Sequence, residues 1–123
     1  MDKTQLNQFA PILFLAVFFV FRFWRNHKAR IKVVDLIKSG NPILLDVRNP
    51  NECEAFPVPD SLNIPLSQLN ARLDSLDKAQ NIIVYCASGG RSLAAKALMN
   101  KNGFTFVINA GGASNVIKAL KKT

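Results

Sequence analysis

Hydrophobic positions follow two different rules along this chain. From Phe9 to Phe21, "FAPILFLAVFFVF", no side chain is charged or strongly polar, and Phe23 and Trp24 extend the run around Arg22. Phenylalanine falls on every side of a helix drawn through it, with no polar stripe, so a core helix of a water-soluble domain is disfavoured. The run predicts a transmembrane helix over 9–24, after a short N-terminal tail, 1–8. Such a helix reaches about 24 Å, against about 30 Å of hydrocarbon. Snorkelling by Arg22 and the interfacial preference of Trp24 accommodate the difference. Pro11 falls in the first turn, where a missing N–H costs little. A cleaved signal peptide competes, but Lys3 is its only n-region cation and "RFWRNHKAR" follows where a small-residue cleavage site belongs. The anchor is the favoured reading.

Past a basic juxtamembrane linker, 25–32, the apolar residues become periodic. "IKVVDLIKSG" carries a helical stripe at 31, 33, 34 and 37, stopped by Gly40. "PILLDV" reads as a buried strand, "NPNECEA" as one helical turn and "SLNIP" as a short strand. "LSQLNARLDSL" is a helix with leucines at 66, 69, 73 and 76. "NIIVYC" is the clearest strand and "RSLAAKALMNKNG" the clearest helix, stopped by Gly103. "FTFVIN" is a further strand, and "ASNVIKALKK" a last helix whose lysines suit its C-terminal end. Strands alternating with helices predict an α/β domain over 33–123, a mainly parallel sheet flanked by helices. Ligands in such folds sit outside the carboxyl ends of the strands, where Asp46 and Cys86 both fall.

Charge sharpens the first segment. Six of the nine phenylalanines and the only tryptophan precede Arg25. The net charge of +8 is shared equally between residues 1–30 and 31–123. In the first part it is bunched just beyond the apolar run, at Arg22, Arg25, Lys28 and Arg30, with Lys32 following. This is a membrane-surface pattern, and the positive-inside rule puts the domain in the cytoplasm. The expected setting is a single-pass protein of a bacterial inner membrane. No basic stripe with interleaved aromatics marks the domain, so nucleic acid is not an expected partner. His27 lies in the basic stretch, a solvated linker residue rather than a catalyst. Two cysteines, Cys53 and Cys86, make no disulfide framework, and neither has a companion at zinc spacing; no metal or cofactor is expected.

The chemistry concentrates in "VYCASGGRS". Cys86 closes the strand, Ala87, Ser88, Gly89 and Gly90 follow, and Arg91 and Ser92 open a helix. Small residues let successive N–H groups turn inward, and the helix N-terminus adds its own. An anion at the centre, whether thiolate, persulfide, phosphate or sulfate, is stabilised, and a cysteine there has its pKa lowered. The plain alternative is a small apolar residue ending a strand before a Gly-Gly turn. Cysteine phosphatases place five residues between Cys and Arg to wrap a phosphoryl group; here there are four. The tighter ring suits a sulfur atom carried on the cysteine.

Together with "LLDVRNPNECEA" (Leu44–Ala55), "SLNIP" (Ser61–Pro65) and "INAGGASNVIKA" (Ile108–Ala119), in that order and spacing, this loop makes residues 31–123 resemble a single-domain rhodanese, a sulfurtransferase. The resemblance implies that Cys86 takes sulfur from an anionic donor such as thiosulfate, forms a persulfide, and passes the sulfur to a thiol, a protein or cyanide. It implies that Ala87, Ser88, Gly89, Gly90 and Arg91 cradle the outer sulfur, with Arg91 drawing in the donor. Asp46 and Arg48 match an organising "DVR" element, and Ser92 is a supporting residue. One departure is plain. Where the family usually reads "GHIPGA" this chain has "FPVPDS", Phe56 to Ser61, so the backbone there is expected to differ and the rim to be altered. That rim motivates a second reading, a non-catalytic module tethering a partner at the membrane. A cysteine-based phosphatase or arsenate reductase is a third, disfavoured by loop length. Cys53 falls where the family often has an aromatic; it is expected to be a small buried hydrophobe, with a resolving-thiol role the lesser alternative.

Overall fold

A computed structural model describes residues 3–123. Its first helix, α1, runs unbroken from Lys3 to Ser39. The residues expected to form a tail and a linker, 3–8 and 25–32, are therefore helical. The physical reason is in the sequence: no glycine or proline stands between Pro11 and Gly40 to interrupt the backbone hydrogen bonding. The apolar half of α1 is uncovered, with Phe14 73% and Phe21 64% exposed. This one helix is long and apolar enough to cross a membrane.

The remaining elements form two helical layers around a parallel sheet. They are β1 (Ile43–Asp46), α2 (Pro50–Ala55), β2 (Leu62–Asn63), α3 (Leu66–Arg72) with a 3-10 turn at Leu73–Ser75, β3 (Ile82–Cys86), α4 (Gly90–Lys101), β4 (Val107–Gly112) and α5 (Ala113–Lys121). The strand order is β2-β1-β3-β4, and every pairing is parallel. Side chains alternate across the sheet, as period two requires. Leu45, Val47, Ile82, Val84 and Cys86 join Leu69, Ala95, Met99 and Phe104 under α3 and α4. Leu44, Ile83 and Tyr85 join Val33, Val116 and Ala119 under the end of α1 and α5. β3 is buried throughout. That explains its unbroken apolar run.

The last strand departs from expectation. "FTFVIN" was the expected strand, but pairing begins at Val107 and continues through "AGG" to Gly112. Phe104 leaves the strand to fill the core at 1% exposure. Beyond the Val84↔Asn109 pair the register slips, so that Tyr85 faces Gly111 and Cys86 faces Gly112. This bulge inserts an extra residue beside the carboxyl end of β3 and bends β4 around it.

Candidate active site

Cys86 is the last residue of β3 and is 1% exposed. The chain turns over it through exposed Ala87 and Ser88, then enters α4 at Gly90. Two glycines and the bulge permit the turn. Gly89 has φ +105°, and a Cβ there would lie 3.3 Å from the Cα of Gly111, itself at φ +83°. A Cβ on Gly112 would lie 2.6 Å from the Ala87 carbonyl oxygen. The loop and the β4 bulge thus touch backbone to backbone. Gly90 differs: it has no positive φ, and nothing lies within 4 Å of where its Cβ would stand.

The Gly89 N–H donates to Cys86 Sγ at 3.0 Å, and Ser92 Oγ lies 3.5 Å from the same sulfur. Burial pushes the thiol up, but the Ser92 hydroxyl and the N–H groups of Ser92, Gly89 and Ser88 outweigh it and bring Cys86 down to about 7. Such donors favour the thiolate because they are aimed at charge in a water-poor setting. Ser92, fully buried, has one proton and several acceptors. It lies 2.7 Å from Asn109 Oδ1 and 3.1 Å from the Gly89 carbonyl. Asn109 Oδ1 also accepts the Gly111 N–H at 2.9 Å. While Cys86 carries its proton the serine can donate to Asn109; once the sulfur is charged, that donor is within reach of it.

Arg91 stands at the rim, paired with Glu52. Its Nη1 donates to Oε1 at 2.6 Å and its Nη2 to Oε2 at 2.8 Å. Arg91, and then the Asn49 N–H, hold the Glu52 carboxyl down to about 2. The same pair raises the Arg91 guanidinium. The carboxylate largely offsets the arginine's charge, so N–H groups and the α4 N-terminus supply most of the field on the sulfur.

Asp46 and Arg48 come together, but on the opposite face of the sheet from Cys86. Asp46 pairs in register with Tyr85, whose side chain points into the α1–α5 layer. Arg48 Nη2 donates to Asp46 Oδ2 at 2.7 Å and its Nε to Oδ1 at 3.0 Å. Burial pushes the Asp46 carboxyl up, but Arg48 outweighs that and leaves it lowered. Arg48 Nη2 also donates to the Phe56 carbonyl at 2.8 Å, which fastens the end of α2. Because α2 carries Glu52, the pair reaches the loop in relay: Asp46 holds Arg48, Arg48 holds α2, and Glu52 holds Arg91. Asn63 Nδ2 secures the same turn, donating to the Asp46 and Arg48 carbonyls at 3.0 and 2.9 Å.

The altered rim takes a definite form. Phe56 adopts φ −140°, so no left-handed residue stands there. Asp60, in place of the family's second glycine, keeps φ +57°, the only such non-glycine residue among those described. Aspartate tolerates that region better than most side chains. Behind the rim, Tyr85 Oη is buried without a hydrogen-bond partner among the described residues. Cys53 is half-buried, and burial first and Asp46 second push its thiol up. It stays protonated at neutral pH.

Glu52, Asn109, Gly111 and Gly112 belong to this site although the sequence reading gave them no role. Glu52 carried a signal, three residues after Asn49 at capping-box spacing. Asn109 carried one too, as a poor strand former inside a strand.

Comparisons with known proteins show the family. Residues 30–119 match the model of the rhodanese-like domain, and the chain belongs to that family. A sulfurtransferase of Allochromatium vinosum is 33% identical over 77 residues, 63% of this chain and 72% of that protein. A thiosulfate sulfurtransferase of Escherichia coli is 35% identical over 74 residues, 58% of this chain and 71% of that protein. A rhodanese-related protein from Thermoplasma volcanium superposes with a TM-score of 0.62 at 30% identity, over 72% of this chain and 87% of its own.

Proposed function

We propose that this protein is a membrane-anchored sulfurtransferase working through a persulfide on Cys86. The observation that carries it is the sulfur of Cys86, buried at a strand end, receiving the Gly89 N–H and lowered to about 7. The thiolate attacks the outer, sulfane sulfur of thiosulfate; a carbon-bound sulfur gains an S–S bond, the donor's S–S bond breaks, and sulfite leaves with the electron pair. The terminal sulfur carries the negative charge into the cradle of Ala87–Arg91, held by N–H groups as the thiolate was. A thiolate or cyanide then attacks that sulfur, forming a new persulfide or thiocyanate and returning the Cys86 thiolate. The α1 apolar segment holds the protein in a bilayer, and the cations from Arg22 to Lys32 keep the domain in the cytoplasm.

A second reading, a non-catalytic tether, has the altered rim from Phe56 to Ser61 in its favour. The two separate on thiocyanate formation from thiosulfate and cyanide. The sulfurtransferase reading expects turnover by the wild type and none by Cys86→Ser. No turnover by wild type with any donor, with a partner still bound, supports the tether instead.

A further inference from the structure

The direction in which α1 enters the domain decides which end of the domain meets the membrane. The turn after α1 is tied to the amino end of β3: Ile43 N donates to the Asn81 carbonyl at 2.9 Å, and Gln80 Nε2 to the Asn41 carbonyl at 3.1 Å. Ser39, Leu36 and the long side chain of Lys32 line one cleft with Asn81, Thr105 and Phe106, the last three at or before the amino ends of β3 and β4. Further back along α1, Val33 is buried in one layer with Leu44, Ile83, Tyr85 and Ala113, so α1 lies along the face of the sheet. The helix therefore climbs the sheet antiparallel to the strands and leaves past their carboxyl ends. That is the edge where Cys86 sits.

Lengths set the distance. From Ser39 back to Trp24, α1 rises about 22 Å at 1.5 Å per residue. From Ile82 to Cys86, β3 advances about 13 Å at 3.3 Å per residue. An aligned helix thus brings Trp24 to about 10 Å beyond the sheet's carboxyl edge, and a tilted one brings it closer. Nothing between Pro11 and Gly40 makes a hinge. On the anchoring reading, we infer that the Cys86 face of the domain is turned toward the bilayer from which α1 emerges, and meets the lipid surface across this narrow gap. Phe56 (48% exposed) after α2 and Leu93 (63% exposed) in the first turn of α4 stand on that side. The far end is basic, with Lys38, Lys78, Lys101, Lys121 and Lys122 at or near helix ends and loops. Charge alone would turn that end onto an anionic surface. The continuous helix and the charge distribution thus predict opposite orientations.

The full chain, carrying Cys53→Ser and Cys86→Ser, is labelled with a fluorophore at a single introduced cysteine. Phe56→Cys and Leu93→Cys report on the site end, and Lys78→Cys and Lys101→Cys on the far end. Each is reconstituted in phosphatidylcholine vesicles containing a minority of phosphatidylglycerol and an energy acceptor on the headgroup. Expected is severalfold stronger transfer from 56 and 93 than from 78 and 101, unchanged by high salt. Stronger transfer from 78 and 101, or equal transfer from both ends, overturns the orientation while leaving the anchor intact. A chain that does not float with the vesicles overturns the anchoring reading, and this proposal with it. Two positions at each end guard against one substitution disturbing the fold.

Discussion

Cys86 must ionise near neutral pH although burial opposes it, and donors from three backbone positions and one hydroxyl win. The sign is that of a lowered thiol: the reactive thiolate is lost as pH falls through about 7. Alkylation of Cys86 by iodoacetamide should accelerate between pH 5 and 8 with a midpoint near 7, where a thiol of ordinary value 9.0 would still be rising. Ser92→Ala removes one donor, about 0.5–1.5 kcal/mol, and should slow alkylation below the midpoint by roughly two- to tenfold. An unchanged midpoint would remove Ser92 from this role. The loop glycines divide just as sharply. Gly89→Ala forces a side chain into φ +105° against Gly111, at about 1–3 kcal/mol, and should lower both melting temperature and activity. Gly90→Ala meets open space and should leave the melting temperature within about a degree. The Cys86–Arg91 loop was legible in the sequence because its chemistry lies within six consecutive residues. Glu52 and Asn109 were not, because their partners stand 39 and 17 residues away along the chain.

At the scale of elements, the periodicity placed every helix and strand of the domain, and it missed where tertiary contacts outrank local pattern. Phe104 and Phe106 read as alternating strand residues, yet one fills the core and the other is half exposed before pairing begins. The bulge that follows depends on Gly111 and Gly112 fitting against Ala87, which no local pattern encodes. Likewise residues 25–32, polar enough to read as a linker, are helical because nothing in them breaks a helix. The Asp46–Arg48 pair shows what joins the elements. Both side chains are almost fully buried, so Asp46→Ala leaves a cation without its partner and should cost about 3–5 kcal/mol in urea unfolding. Because the folded carboxyl is lowered, the wild type's advantage should be complete above its ordinary value of 3.8 and drain away as acid protonates Asp46. A difference of less than about 1 kcal/mol at pH 7 would mean that the pair does not fasten α2.

For the whole molecule, one α/β domain places the buried sulfur of Cys86 at the carboxyl edge of its sheet, and one continuous helix, Lys3–Ser39, leads into that domain. The rim is reshaped by Phe56–Ser61, while the Cys86 loop and its support from Glu52, Asn109 and the β4 glycines are complete. The central claim is that Cys86 carries sulfur. It is tested most directly by intact-mass analysis of the purified protein after exposure to thiosulfate, wild type beside Cys86→Ser. The account predicts one added sulfur atom on the wild type, removed by cyanide or a thiol, and none on the variant. A wild type that never gains sulfur from thiosulfate or a persulfide donor, or a Cys86→Ser protein that gains and transfers it equally well, would contradict it.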